Sequence, residues 1–244
     1  MKNIKLLIEY NGTRYHGWQS QINAIAIQDV ITEAIRKLTG EEINLIGSSR
    51  TDVGVHAFGQ VANFHTESTI PSKKFSYALN SLLPSDIVIK SSEEVSEDFH
   101  SRFCAKGKSY NYQIYNSPFP PALLKNRAWH VILPLNLGLM QKAAGSLIGE
   151  HDFSAFRASG SSVKSSVRTI ISVNISSIEE LITIRVEGNG FLYNMVRIIA
   201  GTLVAVGSGK IETSDMEVIL CNKDRKKAGA TAPPHGLYLV HINY

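Results

Sequence analysis

One acid stands out by its surroundings. In "GSSRTDVGVHAFGQVANFH", residues 47–65, Asp52 follows Arg50 and Thr51 and precedes Gly54. Gly47, Ser48 and Ser49 lie ahead of the arginine. Asp and Gly favour tight turns, so the plainest reading is a surface turn with a solvated arginine. Two features point further. Small residues let another group approach the backbone closely, and strand-like segments on both sides hold the turn on a rigid frame. A carboxylate so placed can act as nucleophile, base or metal ligand. Metal chemistry fits poorly, because no second acid stands at i+2 and no His-x-His or Cys-x-x-Cys spacing lies nearby. His56, alone after the turn, reads as structural. Glycoside hydrolysis ordinarily uses two carboxylates, and an aspartic protease uses a like-charged pair. Asp52 is solitary.

The elements that must position this acid can be traced by periodicity. Ile4, Leu6 and Ile8 alternate with Lys5 and Glu9, which predicts a first strand over 4–10. A polar loop, "NGTRYHGWQSQINA", follows. Ile27, Val30, Ile31, Ala34, Ile35 and Leu38 recur at helical spacing, with Gly40 as a stop. "EINLIG" enters the Asp52 turn as a strand and "GQVANFHT" leaves it as one. Pro71 opens a short helix carrying Phe75, Leu79 and Leu82. "DIVIKSSEEV" is a further strand, and "KSYNYQIYN" alternates with Tyr110, Tyr112 and Ile114 on one face.

Three prolines in "NSPFPPALLKNRAWH" mark a passage between halves. Beyond it come a helix near 135–149, a loop "GEHDFSAFRASGSSVKSS", strands at 168–176 and 181–187, a helix at 192–207 and a last strand, "GLYLVHINY". Strands and helices do not alternate strictly enough for a doubly wound parallel sheet. The expectation is an α+β chain of two halves, 1–105 and 106–244, each a mostly antiparallel sheet flanked by helices.

The totals set limits. With 244 residues, 43% apolar and 19% charged, the chain can bury a core without metals or disulfides. A net charge of +4 suits a polyanionic partner without requiring one. Cys104 and Cys221 are far apart and read as reduced thiols. No segment reads as a signal peptide or membrane helix, so a cytoplasmic location is expected.

The motif resembles the signature of tRNA pseudouridine synthases of the TruA type, usually written G-A-G-R-T-D-A-G-V-H-A-x-G-Q-V. The resemblance extends along the chain. "IEYNGTRYHGWQSQ", "DFHSRFCAKGKSYNYQIYN", "GEHDFSAFRASG", "VRTI", "GNGFLYNMVRIIAGTLVAVGSGK" and "APPHGLYLVHINY" follow in the family's order. Ser48 and Ser49 stand where Ala and Gly are usual and Val53 where Ala is usual, which enlarges side chains beside the acid and narrows its pocket. Lys108 replaces a usual Arg, keeping charge but losing a planar bidentate phosphate contact.

The resemblance implies a pseudouridine synthase fold and isomerisation of uridine to pseudouridine at positions 38, 39 and 40 of the tRNA anticodon stem-loop. It implies no cofactor and no metal. The partner is tRNA, bound across a homodimer. Asp52 is the catalytic acid, either attacking C1′ of the ribose or removing the C2′ proton. It works as a carboxylate, and a nearby cation favours that form. Arg197, in the apolar run "NMVRIIAG", is that cation. By pattern alone, such an arginine either snorkels outward or needs a buried anion. Tyr110 stacks on the base and its hydroxyl helps remove the C5 proton. Arg50 meets the phosphate, or fills the space vacated by the flipped nucleotide. Leu237 packs against the base.

Further positive charge comes from Lys106, Lys108 and the run at 225–227. Arg14, His16 and Trp18 join these as candidates for RNA contact. Two other functions draw on the same residues: a non-catalytic RNA-binding module, and a hydrolase that releases free base.

Overall fold

In the computed structural model, which describes residues 1–160, 163 and 165–244, the first segment forms β1 (Lys2–Tyr10) and buries Ile4, Leu6 and Ile8 completely. Helix α1 (Ile27–Thr39) begins where the Asp29 carboxylate accepts from the Ala26 N–H at 3.3 Å. It ends at Gly40, which takes φ +75° and donates its N–H to the Arg36 carbonyl, a left-handed stop that glycine adopts without strain. Its buried face carries Ile27, Ile31, Ala34 and Ile35. Each fully buried isoleucine there stabilises the fold by about 1.5–3 kcal/mol.

The segment before the Asp52 turn departs from expectation. Only β2 (Ile46–Gly47) of "EINLIG" pairs, joining β3 (His56–Thr66) through Ile46↔Asn63 and Gly47↔Ala62. β1 covers the other edge of β3, so β2 is a two-residue graft rather than a strand of its own sheet. Pro71 leads into a 3₁₀ turn and then α2 (Phe75–Asn80), which buries Phe75 and Leu79, while Leu82 lies beyond it and is exposed. The Phe64 and Phe75 rings meet edge-on at 5.6 Å. β4 (Ile87–Val95) pairs antiparallel with β1.

β5 (Gly107–Asn116) follows, with Tyr110, Tyr112 and Ile114 buried on one face. The proline-rich passage contains a short strand, β6 (Trp129–Val131), parallel to the end of β5. Helix α3 (Leu137–Gly145) starts at Asn136, whose side chain accepts from the Leu139 N–H. β7 (Gly149–Asp152) lies in what reads from the sequence as loop. Residues 161, 162 and 164 of that stretch are outside the described residues. β8 (Val167–Ile178) and β9 (Leu181–Gly188) are antiparallel to each other, as are β7 and β8 and β5 and β9. α4 (Met195–Gly207), α5 (Asp215–Asn222) and β10 (Leu237–Asn243) complete the order.

The chain forms two compact units, residues 1–106 with 238–244, and residues 107–237. The last strand, assigned to the second half by sequence order, is thus largely in the first unit, where it runs parallel to β3 through Tyr238↔His56. Each unit is a mostly antiparallel sheet flanked by helices, the α+β architecture expected. Among the described residues no helix is long and apolar enough to cross a membrane.

Candidate active site

The Asp52 turn is held by backbone contacts on both sides of the acid. The Val55 N–H donates to the Asp52 carbonyl at 3.1 Å, closing a turn in which Gly54 takes φ +78°. On the other side, the Thr51 carbonyl accepts from the Trp18 N–H at 3.1 Å, and the Thr51 and Tyr10 hydroxyls share a hydrogen bond of 2.7 Å. Gly17 sits against this backbone at φ +83°, and a Cβ there would overlap the Thr51 carbonyl oxygen. The Gly12 N–H donates to His56 Nδ1 at 3.1 Å. That nitrogen therefore accepts, and any imidazole proton is on Nε2.

These contacts fix the backbone and leave the carboxylate half-buried. Arg50 is exposed and makes no ion pair among the described residues. Ser48 corrects the expectation of a narrowed pocket. It is 1% exposed, and its hydroxyl donates into the fold, to Gln60 Oε1 at 2.8 Å. Val53 is 52% exposed. Trp18 is likewise not an RNA-facing ring. It is 1% exposed, and its indole lies against Gly47, where a Cβ would overlap it. The N-terminal loop also shapes an open depression of about 380 Å³, lined by Arg14, His16, Gln21, Asn23, Ala24 and Ile25. Arg14 there is committed to Asp86 at 2.6 Å. Tyr15 also donates to Asp86 at 2.7 Å, and burial followed by that carboxylate pushes its hydroxyl up to about 12.

In the second unit, α4 owes its position to packing. Met195, Val196, Ile198, Ile199, Ala200 and Leu203 are all buried. Arg197 is the charged member of this run and is half-buried. Its Nε donates to the Ala232 carbonyl at 2.8 Å and its Nη1 to Asn194 Oδ1 at 2.7 Å. Both acceptors are neutral, so they direct the guanidinium without adding a countercharge. The Ala232 N–H returns a bond to the Arg197 carbonyl at 3.1 Å. This approach requires Gly201, where a Cβ would overlap the Ala230 carbonyl oxygen.

Tyr110 on β5 is 7% exposed and meets Phe191 edge-on at 5.2 Å. Tyr112 is fully buried and its hydroxyl donates to the Pro233 carbonyl at 2.8 Å, a core role. Burial raises the Tyr112 hydroxyl's pKa, and the Arg197 charge partly offsets that. Burial also lowers the His235 pKa; a hydrogen bond with the Ala128 backbone opposes this, and the Arg197 charge lowers it further. Leu237 is 7% exposed, just after a 3₁₀ turn at Pro234–Gly236. Arg225 of the basic run turns inward, its guanidinium donating to the Gly229 carbonyl at 2.8 Å and the Thr231 hydroxyl at 3.0 Å. Burial lowers its pKa.

The first unit thus joins Arg50 and Asp52 on one turn, while Tyr110, Arg197 and Leu237 belong to the second. Sequence reasoning passed over Thr51, Gln60 and Asn194. Asn194 had a usable signal, standing one helical turn before Arg197. Gln60 had one as well, as a polar residue amid an apolar strand. Among the described residues no group of three or more His, Cys, Asp or Glu side chains is placed to hold a metal ion.

Known proteins add the remaining finding. A family profile described as tRNA pseudouridine synthase matches residues 6–104 and 143–244. A protein of Acetivibrio thermocellus named tRNA pseudouridine synthase A is 58% identical over 244 residues, covering all of both chains. One of Ruminiclostridium cellulolyticum with the same name is 59% identical over 245 residues, again covering both completely. One of Clostridium perfringens, named tRNA pseudouridine synthase A 2, is 51% identical over 244 residues with the same coverage. With the profile spanning both units and including Asp52, Arg197 and Leu237, the chain belongs to the tRNA pseudouridine synthase family.

Proposed function

We propose that the chain isomerises uridine to pseudouridine in the anticodon stem-loop of tRNA, at positions 38, 39 and 40, with Asp52 as the essential acid. The C1′–N1 bond breaks, the uracil turns over, a C1′–C5 bond forms, the C5 proton leaves and N1 takes up a proton, so that product and substrate are isomers. The departing uracil is also the returning nucleophile, so one carboxylate suffices and no redox partner is needed. The observation that carries this reading is the Asp52 turn, whose backbone is pinned at Thr51 and Val55 around a half-buried carboxylate. Fixing a reacting group in this way contributes to rate by preorganisation.

Arg197, directed by two neutral acceptors, supplies the cation for that carboxylate. Tyr110 stacks on the target base and assists loss of the C5 proton. Exposed Arg50 meets the phosphate or the space left by the flipped nucleotide, and Leu237 packs on the base. The enzyme works as a cytoplasmic homodimer without a cofactor. Asp52 acts by attack on C1′ or by removal of the C2′ proton. Deuterium at C2′ separates these, since a primary isotope effect marks the second route.

The test is purified protein with tRNA carrying C5-tritiated uridine. Release of tritium with new pseudouridine at positions 38–40 supports the reading. Binding of tRNA with no pseudouridine formed makes the chain a binding module, and release of free uracil makes it a hydrolase.

A further inference from the structure

β2 pairs with β3 for only two residues before the chain leaves the sheet toward Asp52. The backbone contact ends where the Ser48 N–H donates to the Val61 carbonyl at 2.8 Å. Beyond that point a side chain takes over. Gln60, fully buried on β3, donates from Nε2 to the Ser49 carbonyl at 2.7 Å. Its Oε1 accepts from the Ser48 hydroxyl at 2.8 Å and from the Val61 N–H at 3.2 Å. The amide orientation is determined by its partners: a backbone carbonyl can only accept and a backbone N–H can only donate. Gln60 therefore extends the ladder by one residue, up to the peptide that leads into Arg50.

We propose that Gln60 is a positioning residue for catalysis, holding the Ser48–Ser49 backbone so that the turn carrying Asp52 keeps its reactive placement. The proposal rests on the reading of Asp52 as the catalytic acid. It also gives Ser48 a purpose. Its hydroxyl bond to Gln60 Oε1 is an added fastening of the same turn. Gln60 touches no reacting atom in this account. Its effect passes through the backbone, and a buried amide that loses a partner leaves a polar group unsatisfied.

The experiment compares wild type, Gln60→Leu, Gln60→Glu and Ser48→Ala in single-turnover tritium release, with tRNA affinity and Tm measured alongside. Wild-type release establishes the reading beneath; if wild type releases none, that reading and the proposal fall together. Displacing a reacting group by a fraction of its productive geometry costs on the order of 100-fold in rate, which is the loss expected for Gln60→Leu with tRNA affinity nearly unchanged. Ser48→Ala keeps the Ser49 bond and should lose less than about tenfold. Gln60→Glu carries the deciding signature. Ionised, it cannot donate to the Ser49 carbonyl; protonated, it can. Burial raises a carboxyl pKa, so its rate relative to wild type should recover as pH falls, whereas that of Gln60→Leu should not. If wild type is active and Gln60→Leu turns over at the wild-type rate, or Gln60→Glu shows no such recovery, the proposal is overturned.

Discussion

The Asp52 turn and helix α4 hold Asp52 and Arg197 in contrasting ways. Around Asp52 the constraints are directional: hydrogen bonds at Thr51 and Val55, and a glycine pressed against the peptide. Around Arg197 the constraint is largely bulk, a helix with most of its residues buried, with hydrogen bonds to Ala232 and Asn194 directing the guanidinium. Hydrogen bonds define position within tenths of an ångström yet contribute about 1 kcal/mol each. Packing contributes several kcal/mol per residue and is indifferent to small rotations. The turn should therefore be sensitive in rate, and the helix in stability.

The largest effect expected is on the helix. Leu203→Ala in α4 removes a fully buried side chain and should cost about 2–5 kcal/mol of stability. Thermal unfolding measures that loss. The surviving folded enzyme should turn over within about threefold of wild type, and a selective collapse of kcat at unchanged Tm would break the contrast. The turn should behave conversely. Gly17→Ala places a Cβ on the Thr51 carbonyl at a positive φ, straining the backbone by about 1–3 kcal/mol. The displaced acid should lower kcat on the order of 100-fold, far more than the change in Tm would suggest.

A smaller change sharpens the helix side. Asn194 has φ +60°, so alanine there would add backbone strain to the loss of the side chain. Glycine avoids the strain. Asn194→Gly should leave Tm nearly unchanged while releasing Arg197 Nη1 from its acceptor, and kcat should fall by about tenfold, the worth of one charge-assisted bond. Equal losses in Tm and kcat would mean that packing alone directs Arg197.

The same contrast explains what the sequence made legible. β1, α1 and β5 show in periodicity because each buries one face, and burial imposes a period, while α4 shows as a nearly continuous apolar run because most of its residues are buried. Pairing without burial leaves no such trace. "EINLIG" reads as a strand but pairs over only Ile46 and Gly47. β6 hides among prolines because only three residues pair, parallel to the end of β5. α5, eight residues long with three buried, sits in a stretch that periodicity passed over. At the site, Asp52 was visible from its motif. The residues that hold it were not, since Tyr10, Trp18 and Thr51 meet only through folding. Arg197 stood out as a charge in an apolar run, but its acceptor at Ala232, 35 residues further on, has no local signal. Ser48 read as a group lining a pocket because sequence carries no direction, and its hydroxyl faces Gln60.

The central claim is that a single carboxylate, Asp52, performs the isomerisation. The most direct measurement is single-turnover tritium release from C5-tritiated tRNA by wild type and Asp52→Ala, with tRNA binding measured on both. The account predicts release by wild type and none above background by Asp52→Ala, with tRNA still bound. Release by Asp52→Ala at the wild-type rate would contradict it.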